Sequence, residues 1–209
     1  MNESKLNFNL EVHGKKVVCP LGEVIGARMI AENKLPVISC EGGCFRGEIA
    51  RMAAHLVGKK EPFARSCHGE IFTAPKSAMA DWAIKAEKVI VIDGCFMKCH
   101  GRIMRNIIGK DNMIQFDALP MYNKGNKYTD IMLYDDVPEE ERKQLSQQVA
   151  DKIISELSQI FDYDDVPKEE RKEVAQSEAD WIMDSLNNPS AGSASPCATS
   201  DDKSSGCCG

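Results

Sequence analysis

Apolar positions along the chain fall into two kinds of run. Short blocks of β-branched residues read as strands, and longer blocks with apolar residues three and four apart read as helices. The sharpest block is Val89-Ile90-Val91-Ile92, in which every residue is β-branched. Such a run predicts a strand buried on both faces, in the middle of a parallel sheet. Asp93-Gly94 ends it. Beyond Gly101 the period changes: Ile103, Met104, Ile107 and Ile108 share a helical stripe, and Gly109 is its stop signal.

The remaining pattern repeats this alternation. Lys15 to Cys19 reads as a short strand closed by Pro20, and Glu23 to Glu32 as a helix carrying Val24, Ala27, Met29 and Ile30. Leu35 to Ser39 is a second strand and ends at Cys40-Glu41-Gly42-Gly43-Cys44. From about Gly47 a helix follows, with Ile49, Met52, Ala53, Leu56 and Val57 on one face and Gly58 after it. Phe63 to Ser66 is a weaker strand that ends at Cys67. Lys76 to Glu87 reads as a helix with Met79, Trp82, Ala83 and Ala86 inward, and Met113 to Leu119 as a last strand before Pro120. Strands alternating with helices predict an α/β fold of three layers, with a mostly parallel sheet.

Near the C-terminus the chain repeats itself. Tyr134-Asp-Asp-Val-Pro-Glu-Glu-Glu-Arg142 recurs as Tyr163-Asp-Asp-Val-Pro-Lys-Glu-Glu-Arg171, and Ile153 and Leu157 recur as Ile182 and Leu186. Each copy predicts a helix opened by an aspartate cap and a first-turn proline, with acidic residues at its positive end. From Asn187 the composition turns to Ser, Gly, Ala, Asn and Pro, which predicts a disordered tail ending in Cys207-Cys208-Gly209. Three parts follow: a cysteine-rich α/β domain over 1–133, tandem acidic helices over 134–186, and the tail over 187–209.

Composition narrows the functional classes. Of the 209 residues 43% are apolar, enough for a core, and the net charge of -6 argues against a general nucleic-acid binder. The N-terminal stretch is polar and no apolar run is long enough to cross a membrane, so the expectation is a cytoplasmic protein. The acidic helices offer a face to a protein partner, although acidic helices are more often simply solvated.

Cysteine usage changes the picture most. The chain has 9 cysteines, five of them between Cys40 and Cys99 and three in the last thirteen residues. In a reducing compartment, clustered cysteines point to metal binding or thiol chemistry rather than disulfides. Cys40, Cys67 and Cys95 each follow a strand, and strand ends line one edge of a parallel sheet. Cys44 and Cys99 complete two C-x-x-x-C turns and start the following helices, where thiolates are stabilised. Thiolates gathered on one edge repel one another unless a cation joins them, and sulfur selects zinc, copper(I) or an iron–sulfur cluster. The candidate ligands are therefore Cys40, Cys44, Cys67, Cys95 and Cys99. His68 and His100, each next to a cysteine, are candidate supporting groups, and Asp93 is a turn-forming acceptor.

Ser39-Cys40-Glu-Gly-Gly-Cys44-Phe-Arg-Gly47, Ser66-Cys67 and Ile92-Asp93-Gly94-Cys95-Phe-Met-Lys-Cys99 together resemble the DGC-domain family, named for its Asp-Gly-Cys motif. The resemblance spans roughly Val37 to Leu119 and implies zinc bound by Cys40, Cys67, Cys95 and Cys99. Cys44 joins that set through its spacing alone. Three readings follow: a zinc-binding protein, a thiol–disulfide enzyme or carrier in which the tail is a shuttle, and an iron–sulfur electron carrier.

Overall fold

The computed structural model describes residues 11, 13, 18–109 and 111–161. Most of the expected first strand, the second copy of the helical repeat, the tail and Cys197, Cys207 and Cys208 lie outside the described residues.

Four strands form one sheet: β1 (Leu35–Ser39), β2 (Phe63–Arg65), β3 (Val89–Asp93) and β4 (Met113–Asp117). Their order is β2-β1-β3-β4 and every pairing is parallel. Val37 faces Ile90 across the β1–β3 pair, and Val89 faces Met113 across the β3–β4 pair. The order is that of a flavodoxin-like doubly wound sheet with one strand fewer.

β3 is buried along its whole length, as its β-branched run predicts. Alternation assigns its side chains to opposite faces. Ile90 and Ile92, with Val37, pack against α2 (Phe45–Val57) and α7 (Glu139–Ile160) through Ile49, Ala53, Val149, Ile153 and Leu157. Val89 and Val91, with Ile38, pack on the other face against α3 (His68–Thr73), α4 (Ala78–Lys85) and α5 (Cys99–Ile108). The result is a layer of helices, a sheet and a second layer of helices. The first copy of the helical repeat, α7, lies along α2 and belongs to the same core as the residues before it.

α1 (Pro20–Ala31) packs on α4, where Met29, Met79 and Trp82 form a small cluster. The Trp82 indole N–H donates to the Lys34 carbonyl at 2.7 Å. Pro20 opens this helix, because its fixed φ and missing N–H suit a first helical position. The Cys19 N–H just before it donates to the buried Glu70 carboxyl at 2.9 Å, which ties the helix start to α3. The α1–α4 approach depends on Gly26. A Cβ there would come within 2.2 Å of the Met79 backbone nitrogen. Gly26→Ala is expected to cost about 1–3 kcal/mol through that overlap, read as a lower midpoint in urea unfolding.

Several local expectations differ from the structure. α3 is absent from the periodicity reading because six residues carry too little pattern. Ile103 is exposed, whereas Met104 and Ile108 of its stripe are buried and Ile107 packs partly buried beside them. β4 ends at Asp117, and Pro120 falls in the first turn of the short α6 (Leu119–Tyr122). The predicted aspartate cap of α7 is replaced by Pro138 in extended conformation. The Arg142 guanidinium braces that corner by donating to the Tyr134 and Val137 carbonyls at 2.6 and 3.2 Å.

Candidate functional site

β1 and β3 are neighbours, yet α2 leaves β1 toward one face and α5 leaves β3 toward the other. The two loops splay apart at this topological switch point, where doubly wound sheets bind ligands. Both C-x-x-x-C turns lie there, one on each side. Cys67, beyond β2, lies on the adjoining stretch of the same edge.

Cys40 still belongs to the sheet: its N–H donates to the Ile92 carbonyl at 2.8 Å, and the residue is 8% exposed. The backbone N–H groups of Gly42 and Gly94 point at its sulfur. A Cβ on Gly42 would stand 3.4 Å from the Cys40 Sγ and 3.8 Å from the Cys44 Sγ, so the two sulfurs flank this glycine. Burial pushes the Cys40 thiol up, and the two N–H donors oppose this only in part. Desolvation is the larger effect at Cys40, so this thiol is harder to ionise than a free one. Cys44 precedes α2 and is half-buried, as is Cys95. Cys67, before α3, and Cys99, the first residue of α5, are exposed.

The Asp-Gly-Cys motif has a structural explanation at each position. Asp93 is wholly buried. Its carboxyl accepts the His100 and Gly101 N–H groups at 3.1 and 3.2 Å and the Gln115 side-chain amide at 2.7 Å. It thus caps α5 from seven residues earlier and fixes where Cys99 begins that helix. Gly94 must lack a side chain, since a Cβ would lie 2.7 Å from the Arg46 carbonyl. Gly101 is required for the same reason: a Cβ would overlap the Gln115 amide at 1.8 Å and the Asp93 carboxyl at 2.5 Å. Between Cys95 and Cys99 the chain turns tightly, with the Lys98 N–H donating to the Cys95 carbonyl at 3.0 Å and Lys98 left-handed at φ 50°. The turn pushes Phe96 into solvent at 69% exposure.

His68 and His100 meet across the β2 and β3 loops, their ring centroids 4.9 Å apart. Burial pushes both below the usual imidazole range, and each is half-buried. The His100 Nδ1 is buried without a hydrogen-bond partner among the described residues.

Three further residues shape the site, and the sequence pattern did not mark them. Arg65 donates to the Val37 carbonyl at 2.8 Å, the Ser39 hydroxyl at 2.9 Å and the Glu41 carboxyl at 2.7 Å, bracing the end of β1 beside Cys67. Arg46 and Tyr122 lie on the α2 side, where the charges of Arg46, Cys44 and Cys95 are all felt at the Tyr122 hydroxyl. No local periodicity signals such contacts, because their partners are distant in sequence.

The donors suit a soft cation in kind, since thiolate sulfur binds zinc well. They do not form a closed set. Among the described residues no group of three or more His, Cys, Asp or Glu side chains stands ready around one ion position. Cys40 and Cys44 pair across Gly42, the charge of Cys99 reaches Cys40, and Cys44 and Cys95 both act on Tyr122. Among the described residues no helix is long and apolar enough to cross a membrane.

Fold and site together define a doubly wound α/β domain whose switch point is edged by cysteines. The chain belongs to the DGC-domain family: the model of the DGC domain matches residues 36–157, more than half of its length. That match reaches into α7, well beyond the motif region. No curated protein and no solved structure matches the chain.

Proposed function

We propose that this chain is a cytoplasmic metal-binding protein that holds zinc through Cys40, Cys67, Cys95 and Cys99, with Cys44 beside them. One observation carries the reading: the loops after three adjacent strands each deliver thiols to the same edge of the sheet, at its switch point. Four thiolates around a zinc ion are a common structural arrangement. Metal binding to such a set offsets the mutual repulsion of the sulfurs and couples their loops to folding.

Metal analysis of the full chain purified without oxygen tests it. The expected result is about one zinc per chain, lost or strongly weakened in Cys95→Ser and Cys67→Ser. A protein without metal, whose five edge thiols all titrate freely, would overturn the reading. A brown protein with visible absorbance would replace zinc with an iron–sulfur cluster.

Thiol–disulfide exchange is the second reading, favoured by the exposure of Cys67 and Cys99, which a partner thiol can reach. Burial keeps the Cys40 thiol protonated, which counts against that residue as the attacking thiolate. Reversible cycling of Cys95 and Cys99 between dithiol and disulfide, with zinc retained, would favour exchange.

A further inference from the structure

The α2 side of the switch point holds two buried donors that the zinc reading leaves unused. Tyr122 is 3% exposed, and its hydroxyl is buried without a hydrogen-bond partner among the described residues. Its ring is wedged between Phe45 and Tyr128, with centroids 6.0 and 5.6 Å away. Phe45 is the first residue of α2, so the Tyr122 ring packs against the first turn of that helix. Arg46 is the next residue. Its Nη2 donates to the Thr129 carbonyl, while its Nε is buried and also without a partner. The Met132 carbonyl nearby is already taken by the Phe45 N–H at 2.9 Å.

Buried donors in native proteins are nearly always met by an acceptor. The thiols do not serve here, because the Tyr122 hydroxyl makes no hydrogen bond to Cys44 or Cys95. The missing acceptor must suit a guanidinium, a phenol and the positive end of a helix, and each of these favours negative charge on oxygen. It must also be small. A Cβ on Gly47 would meet the Gly42 carbonyl at 2.6 Å, so the loops around it are closely packed.

We propose that Arg46 and Tyr122, with the N-terminus of α2, form a subsite for a small inorganic oxyanion beside Cys44 and Cys95. Arg46 Nε and Tyr122 Oη each donate to one of its oxygens, and the helix end faces its charge. Burial holds the phenol protonated, so it remains a donor. The subsite uses no sulfur as a ligand and stands independently of zinc.

Titration calorimetry of the full chain with inorganic phosphate, at ionic strength fixed by chloride, tests the subsite. Saturable binding at one site per chain is expected. Tyr122→Phe, which keeps the ring contacts, should weaken it about tenfold, and Arg46→Gln at least as much. Lys60→Gln, exposed beyond the far end of α2, should bind like the native chain. At equal concentration, phosphate should raise the unfolding temperature of the native chain more than that of Tyr122→Phe. Near-ultraviolet circular dichroism checks each fold, and if Arg46→Gln does not fold, Tyr122→Phe decides alone. Absent or non-saturable binding, or equal binding by Tyr122→Phe, overturns the subsite and leaves water as the acceptor. Zinc measured in the same samples separates the two readings: zinc without phosphate binding overturns the subsite alone, and phosphate binding without zinc overturns the metal reading alone.

Discussion

Phe45→Ala is expected to lower folding stability by about 3–5 kcal/mol, measured by urea unfolding of the full chain. Phe45 is wholly buried and is one of the largest side chains of the core between the sheet and the α2 and α7 layer. Its ring meets Tyr122 edge-on and Tyr128 at a tilt, with centroids 6.0 and 5.7 Å away. Truncation removes both aromatic contacts and leaves a cavity that the neighbouring strands cannot fill. The loss also reaches the site, because Phe45 lies between Cys44 and Arg46 and its N–H holds the Met132 carbonyl. A second expectation separates packing from a general loss of fold. Phe45→Leu restores much of the volume, so it should recover more than half of the lost stability while the start of α2 stays in place. Equal destabilisation by Leu and Ala would show that the ring contacts, and not the filled volume, hold this end of the helix.

Much of the frame was legible in the sequence because it rests on local pattern. The run Val89 to Ile92 marked a strand buried on both faces, and β3 is an interior strand whose alternate side chains feed two cores. A stop glycine was legible at Gly109, which follows α5 at φ 86°, a backbone conformation that other residues rarely adopt. The strand-end cysteines were legible for the same reason: a parallel sheet with right-handed crossovers puts successive strand ends on one edge.

What escaped was set by contacts between distant segments. Nothing local reveals that Glu70 accepts the Cys19 N–H and anchors a helix start at Pro20. Arg65 carried no motif, and its role arises only when β2 pairs with β1 and brings it under Ser39 and Glu41. The depth of Cys40, and the upward push that burial gives its thiol, leaves no local mark in the sequence, because distant segments pack to create it.

Asp93 shows how closely the frame and the site depend on one another. Asp93→Ala is expected to cost about 3–5 kcal/mol, since it leaves the His100 and Gly101 N–H groups and the Gln115 amide without their shared acceptor in a buried place. The damage should be local as well as global. The N-terminus of α5 loses its tie to β3, so hydrogen exchange at residues 99–102 should accelerate more than in α2. Cys99 starts α5 and Cys95 ends the strand turn, so the spacing of these two thiols is set by the same carboxyl. Zinc affinity should therefore fall in Asp93→Ala although no sulfur is removed, by about 10–100-fold, the range seen when the partner that orients a metal ligand is lost. Asp93→Asn keeps one acceptor oxygen but turns an amide donor toward either Gln115 or the helix N–H groups, so it should fall between the native chain and Asp93→Ala in both stability and zinc affinity. Native-like zinc binding in a folded Asp93→Ala protein would show that the metal needs no fixed start of α5 and would detach the motif's aspartate from its cysteines.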